Sequence, residues 1–433
     1  MSRVPQINIG LFGFGTVGAQ VYKVLEKNHA LITQRLGFPL TIKKVCDPDP
    51  KKKGLLPSTI LVTKPGEVLD DPEISIIVEL IGDRPVAKEV ILQSIDLGKH
   101  VVTANKAVLA KHGDEIYQAA AKHEVDIRFE AAVAGSIPIL RAMREGFAAD
   151  HIQSILGIIN GTSNYILSEI SEKKKPFEDV LKEAQKAGYA EANPASDIEG
   201  TDTAHKLCIL IALGYGQFVP LDKIHTEGIT DITAFDIEMA EKFGYTIKLL
   251  AIAKQINAEI EARVHPTLIS SKHMLASVKG AFNAIMLQGE FFGPSLFYGL
   301  GAGGPPTATA VISDIIEIAR NIANRTQGVP PLGIPIDKIQ KAKLKSMEEI
   351  ECPYYLRFNA LDKPGVFAKI AHILGQHQIS ISSVVQEGRE EGKEVPIVVL
   401  THKAKEKHLR QALEQINSLP VVTKKTLLLR IEN

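Results

Sequence analysis

The chain contains no tryptophan, and aromatic residues make up only 6% of its 433 residues. Its three cysteines, Cys46, Cys208 and Cys352, lie far apart with no CxxC pair. That spacing supports neither a disulfide framework nor a zinc site and suits a reducing compartment. Net charge is also missing, since 50 basic residues balance 50 acidic ones. No basic block exceeds KKVCDPDPKKK (43–53), so there is no electrostatic footprint for nucleic acid or an anionic membrane surface. No apolar run approaches the roughly 18 residues of a membrane span, and MSRVPQINIGLFGFG falls short of a signal peptide's apolar region. A cytoplasmic protein with a small-molecule partner is expected.

What is present is apolar sequence in short, regularly punctuated pieces. Hydrophobic residues make up 45% of the chain, enough for several cores, and the length leaves room for about three domains. INIGLFGFGTVG runs from a strand-like stretch into a glycine cluster, and AQVYKVLEKN follows with Val21, Val24 and Leu25 at helical spacing. LTIKKVCD, SIIVELIG and HVVTANK add strands, with PVAKEVILQSIDLGK as a helix between the last two. This alternation predicts an α/β fold with a parallel sheet and right-handed crossovers. Beyond DIRFEAAVAG the pattern changes to longer helices and mixed strands, as in an α+β domain. TQGVPPLGIPIDKI reads as a linker, and the remainder reads as strand, helix, strand, strand, helix, strand. The expected division is 1–134 for a Rossmann-type dinucleotide-binding domain with a helical return near 305–330, 135–325 for an α+β substrate and dimerisation domain, 326–349 for the linker, and 350–433 for a C-terminal βαββαβ, ferredoxin-like domain.

Gly13, Gly15 and Gly18 form GxGxxG between the first strand and helix. The first glycine permits the turn, the second lets backbone approach a pyrophosphate, and the third lets helix and strand pack closely, leaving a helix N-terminus aimed at the anion. The bland alternative is a merely tight turn. Asp47 ends the second strand but lies 29 positions after Gly18, beyond the usual spacing of about 20, which implies an insertion. Its acid suits a ribose 2′-hydroxyl, whereas Lys51, Lys52 and Lys53 suit a 2′-phosphate, so the choice between NAD and NADP stays open. Lys106 follows a strand at the carboxyl edge of the sheet, as either a solvated charge or a group held toward the ligand crevice.

GYAEANPASDIEGTDTAHK is the densest polar stretch beside apolar sequence, offering Glu191, Asp197, Glu199, Asp202, His205 and Lys206. Asp202 and Lys206 could be an i,i+4 pair on a solvated face, worth about 0.3–0.5 kcal/mol. However, Lys206 leads directly into LCILIALG, an interior helix in which a lysine needs a partner or a chemical task. A lysine tuned by a carboxylate can exchange a proton with a reacting oxygen. His205 competes for that role but points about 100° away from Lys206 around the helix. Glycine-rich FYGLGAGGPPTATAVISDI precedes a helix expected to start near Thr307, either as a flexible loop or as a close approach to a flat ligand.

Together these residues resemble the homoserine dehydrogenase family. GFGTVG, VELIG, TANKAVLA, FEAAVAGSIPI, GIINGTSNYIL, EAQKAGYAEANPASDIEGTDTAHKL and YGLGAGGPPTATAVISD occur in the family's order. The resemblance implies NAD(P)-dependent interconversion of L-homoserine and L-aspartate 4-semialdehyde, on the route to threonine, methionine and isoleucine. It makes Lys206 the proton donor, Asp202 its orienting partner and a substrate contact, Lys106 a contact of cofactor and substrate, and Glu191 a ligand for the amino-acid end of homoserine. Gly13, Gly15, Thr16, Val17, Gly18, Asp47, Thr103, Lys106 and Gly303 become the expected cofactor contacts. A monovalent cation, typically sodium, would map to Glu130 and the carbonyls of Val133, Gly135 and Ile137. CDPD stands where many relatives carry an arginine suited to NADP. No kinase-like segment precedes the dehydrogenase, so the fused aspartokinase arrangement is not expected, and a homo-oligomer, dimer or tetramer, is implied.

Residues 350–433 resemble an ACT domain, with Asp362, Pro364 and Gly365 in its loop-then-helix signature LDKPGVFAKIAHILGQHQISISS. This implies feedback by L-threonine, against the alternative of a dimerising appendage that binds nothing. Two rival functions are an aspartate-semialdehyde dehydrogenase, which needs a cysteine nucleophile, and a non-enzymatic sensor of dinucleotide and amino acid. Only Cys208 lies near the proposed site, and a sensor has no need for Glu191, Asp202 and Lys206 together.

Overall fold

The strand INIGLF is buried at every position, as a parallel strand covered on both faces requires. In the computed structural model, which describes residues 6–387 and 391–432, it is β1 (Ile7–Phe12) of a six-stranded sheet. The others are β2 (Leu40–Cys46), β3 (Leu61–Val62), β4 (Ile74–Glu79), β5 (His100–Thr103) and β6 (Ile127–Arg128). Every pairing is parallel and the order is β3-β2-β1-β4-β5-β6. This is the doubly wound dinucleotide-binding order, with the strand order reversing at β1 and β4. Helix α1 (Thr16–Lys27) follows β1, and a second short helix, His29–Leu36, occupies the space before β2. That extra helix is the insertion that lengthens the Gly18 to Asp47 spacing.

The chain divides into two compact units, each discontinuous in sequence. The first comprises Met1–Ile155, Ala204–Lys223 and Asn283–Ala342. Its core joins Ile9, Leu11, Val21, Leu25 and Ile42 to Ala308, Val311, Ile312, Ile315, Ile318 and Ala319 of the helix Gly304–Asn324. That helix starts at Gly304 rather than near Thr307, because Pro305 and Pro306 fit its first positions, where no amide donor is needed.

The second unit comprises Leu156–Thr203, Ile224–Phe282 and Lys343–Asn433. A hairpin pairs Tyr245–Ile256 with Glu259–Ser270 in unbroken antiparallel register. Beside it lie, in order, the strands Val422–Glu432, Tyr354–Leu361, Glu394–Thr401 and Ile381–Gln386. With the helices Val366–Gln376 and Glu406–Asn417, these last four strands form the expected βαββαβ fold around Leu356, Phe358, Ile370, Leu374, Val399 and Leu409. This domain is no loose appendage. Its final strand pairs in parallel with the hairpin, Thr267 opposite Arg430 and Ile269 opposite Glu432.

Lys248 is buried on the hairpin and donates to the Asn164 side chain at 3.0 Å and to the Val278 carbonyl. Burial lowers its pKa to about 8 from an ordinary 10.5. Between these values the unfolded chain binds the extra proton, so this group makes stability rise with pH by up to about 1.4 kcal/mol per unit. Lys248→Met should therefore compare best with wild type below pH 8 and lose ground by pH 10. Melting temperatures of both proteins at the two extremes test this, and an unchanged difference between them would refute it. Among the described residues, no helix is long and apolar enough to cross a membrane.

Candidate functional site

The glycine loop is built by packing. Gly13 has φ +90°, and a Cβ there would meet the Leu80 carbonyl oxygen at 2.5 Å. A Cβ at Gly18 would lie 2.0 Å from the Gly13 carbonyl oxygen, so α1 can seat this close to the turn only through glycine. Gly15 differs, because an added Cβ there would find no atom within 4 Å. Gly15 and Thr16 are exposed, Val17 is partly buried, and no side chain caps the first turn of α1. Gly303 adopts φ +120° at the start of the helix Gly304–Asn324, which also lacks a side-chain cap. A Cβ on Gly304 would lie 3.4 Å from the Thr16 carbonyl oxygen and 2.8 Å from Cγ of Gln20. The N-terminus of α1, with its amide groups uncapped, therefore meets the start of the helix Gly304–Asn324 beside the glycine turn, an arrangement suited to a pyrophosphate, although Pro305 and Pro306 carry no amide hydrogen to offer it.

Asp47 anchors this loop. One carboxylate oxygen accepts from the Phe14 amide at 2.7 Å and the other from Asp49 at 2.9 Å. Thr103 is fully buried; its hydroxyl donates to Glu79 at 2.6 Å and accepts from the Asn105 amide at 3.0 Å. Glu79 also accepts from Ile81, and burial raises its pKa. Asn105 accepts from Val108 to cap the helix Lys106–Lys122 and donates to the Gly82 carbonyl at 2.7 Å. Lys106 is thus the first residue of a helix whose entry is fixed by hydrogen bonds.

In the second unit, Asn160 donates through its amide to Asp197 at 2.7 Å and to Asp202 at 2.9 Å. Its side-chain oxygen accepts from Ser163, capping the helix Gly161–Lys173. Ser163 in turn donates to the Asp197 carbonyl at 2.8 Å. Asp202 opens the helix Thr201–Tyr215, in which 202–213 are all buried, including Asp202, His205 and Lys206. The solvated-face reading of this pair is therefore wrong. Glu191 is exposed, on the loop after the helix Phe177–Lys186. Burial pushes the Cys208 thiol up to about 12, so it supplies no thiolate nucleophile at neutral pH.

Glu130 is 5% exposed, and its two oxygens accept from the Leu140 and Arg141 amides, both at 2.8 Å. Burial raises its pKa. Val133, Gly135 and Ile137 lie on the segment after it, where Gly135 takes φ +58° against the Gly301 carbonyl. A Cβ on Gly135 would meet that oxygen at 2.6 Å. Among the described residues, no group of three or more His, Cys, Asp or Glu side chains is placed to hold a metal ion. A hard cation held by one carboxylate and several carbonyls needs no such group.

Asn160 is the residue that inspection of motifs overlooks. The run NGTS in GIINGTSNYIL is a helix-cap signature, but its second function, bridging two aspartates, has no local mark.

The parallel dinucleotide-binding sheet, the glycine turn and the buried polar helix define an NAD-binding oxidoreductase carrying a C-terminal ACT domain. Residues 13–130 match the family pattern described as homoserine dehydrogenase, NAD binding domain, residues 138–316 match homoserine dehydrogenase, and 354–421 match the ACT domain. The chain is 45% identical to the homoserine dehydrogenase of Neisseria gonorrhoeae and 44% identical to that of Helicobacter pylori, each match covering 99% of both chains. A crystal structure of a homoserine dehydrogenase from Thiobacillus denitrificans superposes with TM-score 0.94 at 45% identity, covering 99% of both chains. A hyperthermophilic archaeal homoserine dehydrogenase in complex with NADPH covers 72% of this chain and 98% of its own, with TM-score 0.63 and 26% identity. The chain belongs to the homoserine dehydrogenase family.

Proposed function

We propose that the protein interconverts L-homoserine and L-aspartate 4-semialdehyde with NAD(P), on the route to threonine, methionine and isoleucine. The observation that carries this reading is a helix buried along 202–213 that bears Asp202 and Lys206 one turn apart, its first turn tied to Asn160. Residues four apart share a helix face. When bound, the nicotinamide supplies a hydride to the aldehyde carbon or takes one from the alcohol carbon. Lys206 gives a proton to the carbonyl oxygen during reduction and receives it back during oxidation. A cationic acid beside an oxygen that gains negative charge favours the transition state over the ground state. Asp202 orients Lys206, Lys106 contacts cofactor and substrate, and Glu191 binds the amino-acid end of homoserine.

Gly13, Gly15, Thr16, Val17, Gly18, Asp47, Thr103, Lys106 and Gly303 hold or shape the site for the dinucleotide. The exposed Gly15 and the uncapped start of α1 fit that group. Glu130 with the carbonyls of Val133, Gly135 and Ile137 fits a sodium ion, which would offset the burial of the carboxylate. The ACT domain is the candidate binding site for L-threonine, and a dimer or tetramer is the assembly in keeping with the family.

Purified protein given L-homoserine and either NAD or NADP should show rising absorbance of the reduced nicotinamide. The ratio of the two rates would set the preferred cofactor, and saturable inhibition by L-threonine would support the effector reading. Folded protein that binds dinucleotide but turns over with neither cofactor would remove the proposed reaction.

A further inference from the structure

The buried ion cluster around Arg430 has no part in the chemistry above, yet it reaches the segment that carries Asp202. Arg430 is fully buried on the last strand of the ACT domain and donates to both oxygens of Glu227, at 2.7 and 3.0 Å. Two further donors go to the fully buried Glu406, with Nε 2.8 Å from Oε2. His225 places Nε2 2.8 Å from Glu227 as well. A bidentate arginine fork fixes both position and plane of its carboxylate, and a buried arginine holds its partners because losing one leaves a charge uncompensated.

Glu227 is one residue from a tight contact with the helix entrance. A Cβ on Gly228 would lie 2.4 Å from the Ile198 carbonyl oxygen and 2.7 Å from Cα of Glu199. The Ile229 amide donates to the same Ile198 oxygen at 2.8 Å. Gly200, at φ +86°, backs onto Thr226, Val264 and the Glu227 carbonyl, with distances of 3.0–3.3 Å from an added Cβ. Thr201 and Asp202 follow at once. The path from Arg430 to Glu227, through Gly228 to 198–200 and on to Asp202 runs through a bidentate ion pair, close backbone contacts and the packed side chains of Thr226 and Val264.

We propose that Glu227, gripped by Arg430, is a positioning residue for the first turn of the catalytic helix, so that the last strand of the ACT domain sets the placement of Asp202. This rests on the reading of Asp202 and Lys206 as the catalytic pair. It also gives the ACT domain a direct mechanical connection to turnover, independent of which amino acid that domain binds.

The full chain should be tested as Glu227→Gln, which removes the charge but keeps the shape, and as Gly228→Ala, which leaves the ion cluster intact and pushes on 198–199. Both variants should lose about tenfold or more in kcat with homoserine while dinucleotide Kd stays within twofold, since the glycine turn belongs to the other unit. A merely structural cluster predicts a lower melting temperature and unchanged kcat per folded molecule, and that result in both variants would overturn the proposal. If Glu227→Gln does not fold, Gly228→Ala decides alone. Lys206→Ala serves as the control for the underlying reading. Turnover retained there would sink the catalytic assignment, whereas turnover lost there but kept in the two positioning variants would sink only this inference.

Discussion

Lys206→Ala is expected to abolish most turnover, lowering kcat by about 10²–10⁴-fold, the range over which a positioned general acid contributes. The helix Thr201–Tyr215 has no solvated face along 202–213, so no bulk water stands ready to replace the lost proton donor. The glycine turn, Asp47 and the start of α1 are distant in sequence and hold one another through Gly13, Gly18 and Phe14. Dinucleotide binding should therefore survive with a Kd close to that of wild type. Removing Lys206 relieves its own desolvation cost but takes a charge away from the buried Asp202, so the rate is expressed per folded molecule from a melting curve of the same preparation. Lys206→Arg should not restore the rate, because a guanidinium with pKa above about 12 cannot cycle its proton during turnover. Steady-state rates with homoserine, paired with dinucleotide titration by fluorescence, read both halves. A variant that retains a tenth of wild-type kcat would remove Lys206 from the chemistry and return the sensor reading to contention.

Much of this architecture is legible because its signals are local. The glycine turn announces itself through three residues in six, the parallel sheet through short apolar runs buried on both faces, and the ACT fold through its order of strands and helices. The burial of Lys206 is readable for the same reason, since LCILIALG leaves the helix no polar face. What escapes is whatever depends on distant partners. Asn160 meets Asp197 and Asp202 across 37 and 42 residues, and Arg430 meets Glu227 across 203. No periodicity encodes such pairs, because each residue is locally satisfied by a commonplace reading, a helix cap for Asn160 and a strand-edge charge for Arg430. Sequence order also hides that the chain leaves and re-enters both units more than once. Stopping the chain near Thr326, which looks clean on paper, would strip the strand Val422–Glu432 from its place beside Glu259–Ser270 and free Glu227 from Arg430. Threonine titration of the intact chain is thus the sounder test of the ACT domain.

The two later glycines of the turn should fail in different ways, and the contrast tests what each is for. Gly18→Ala puts a Cβ where the Gly13 carbonyl oxygen already sits, 2.0 Å away, so α1 must withdraw from the turn. Both the melting temperature and dinucleotide binding should fall together. Gly15→Ala meets no atom within 4 Å, so the fold should be indifferent to it. If its role is to let backbone amides reach a pyrophosphate, the added methyl group holds the phosphate off. Each charge-assisted hydrogen bond lost that way is worth about 1.5–3 kcal/mol, or roughly tenfold to a hundredfold in Kd. Gly15→Ala should therefore melt with wild type and yet bind dinucleotide at least tenfold more weakly. Calorimetric melting and fluorescence titration on the same preparations separate the two. Wild-type affinity in Gly15→Ala would mean that the pyrophosphate does not approach at Gly15, leaving the meeting of α1 with the helix Gly304–Asn324 as the feature that must hold it.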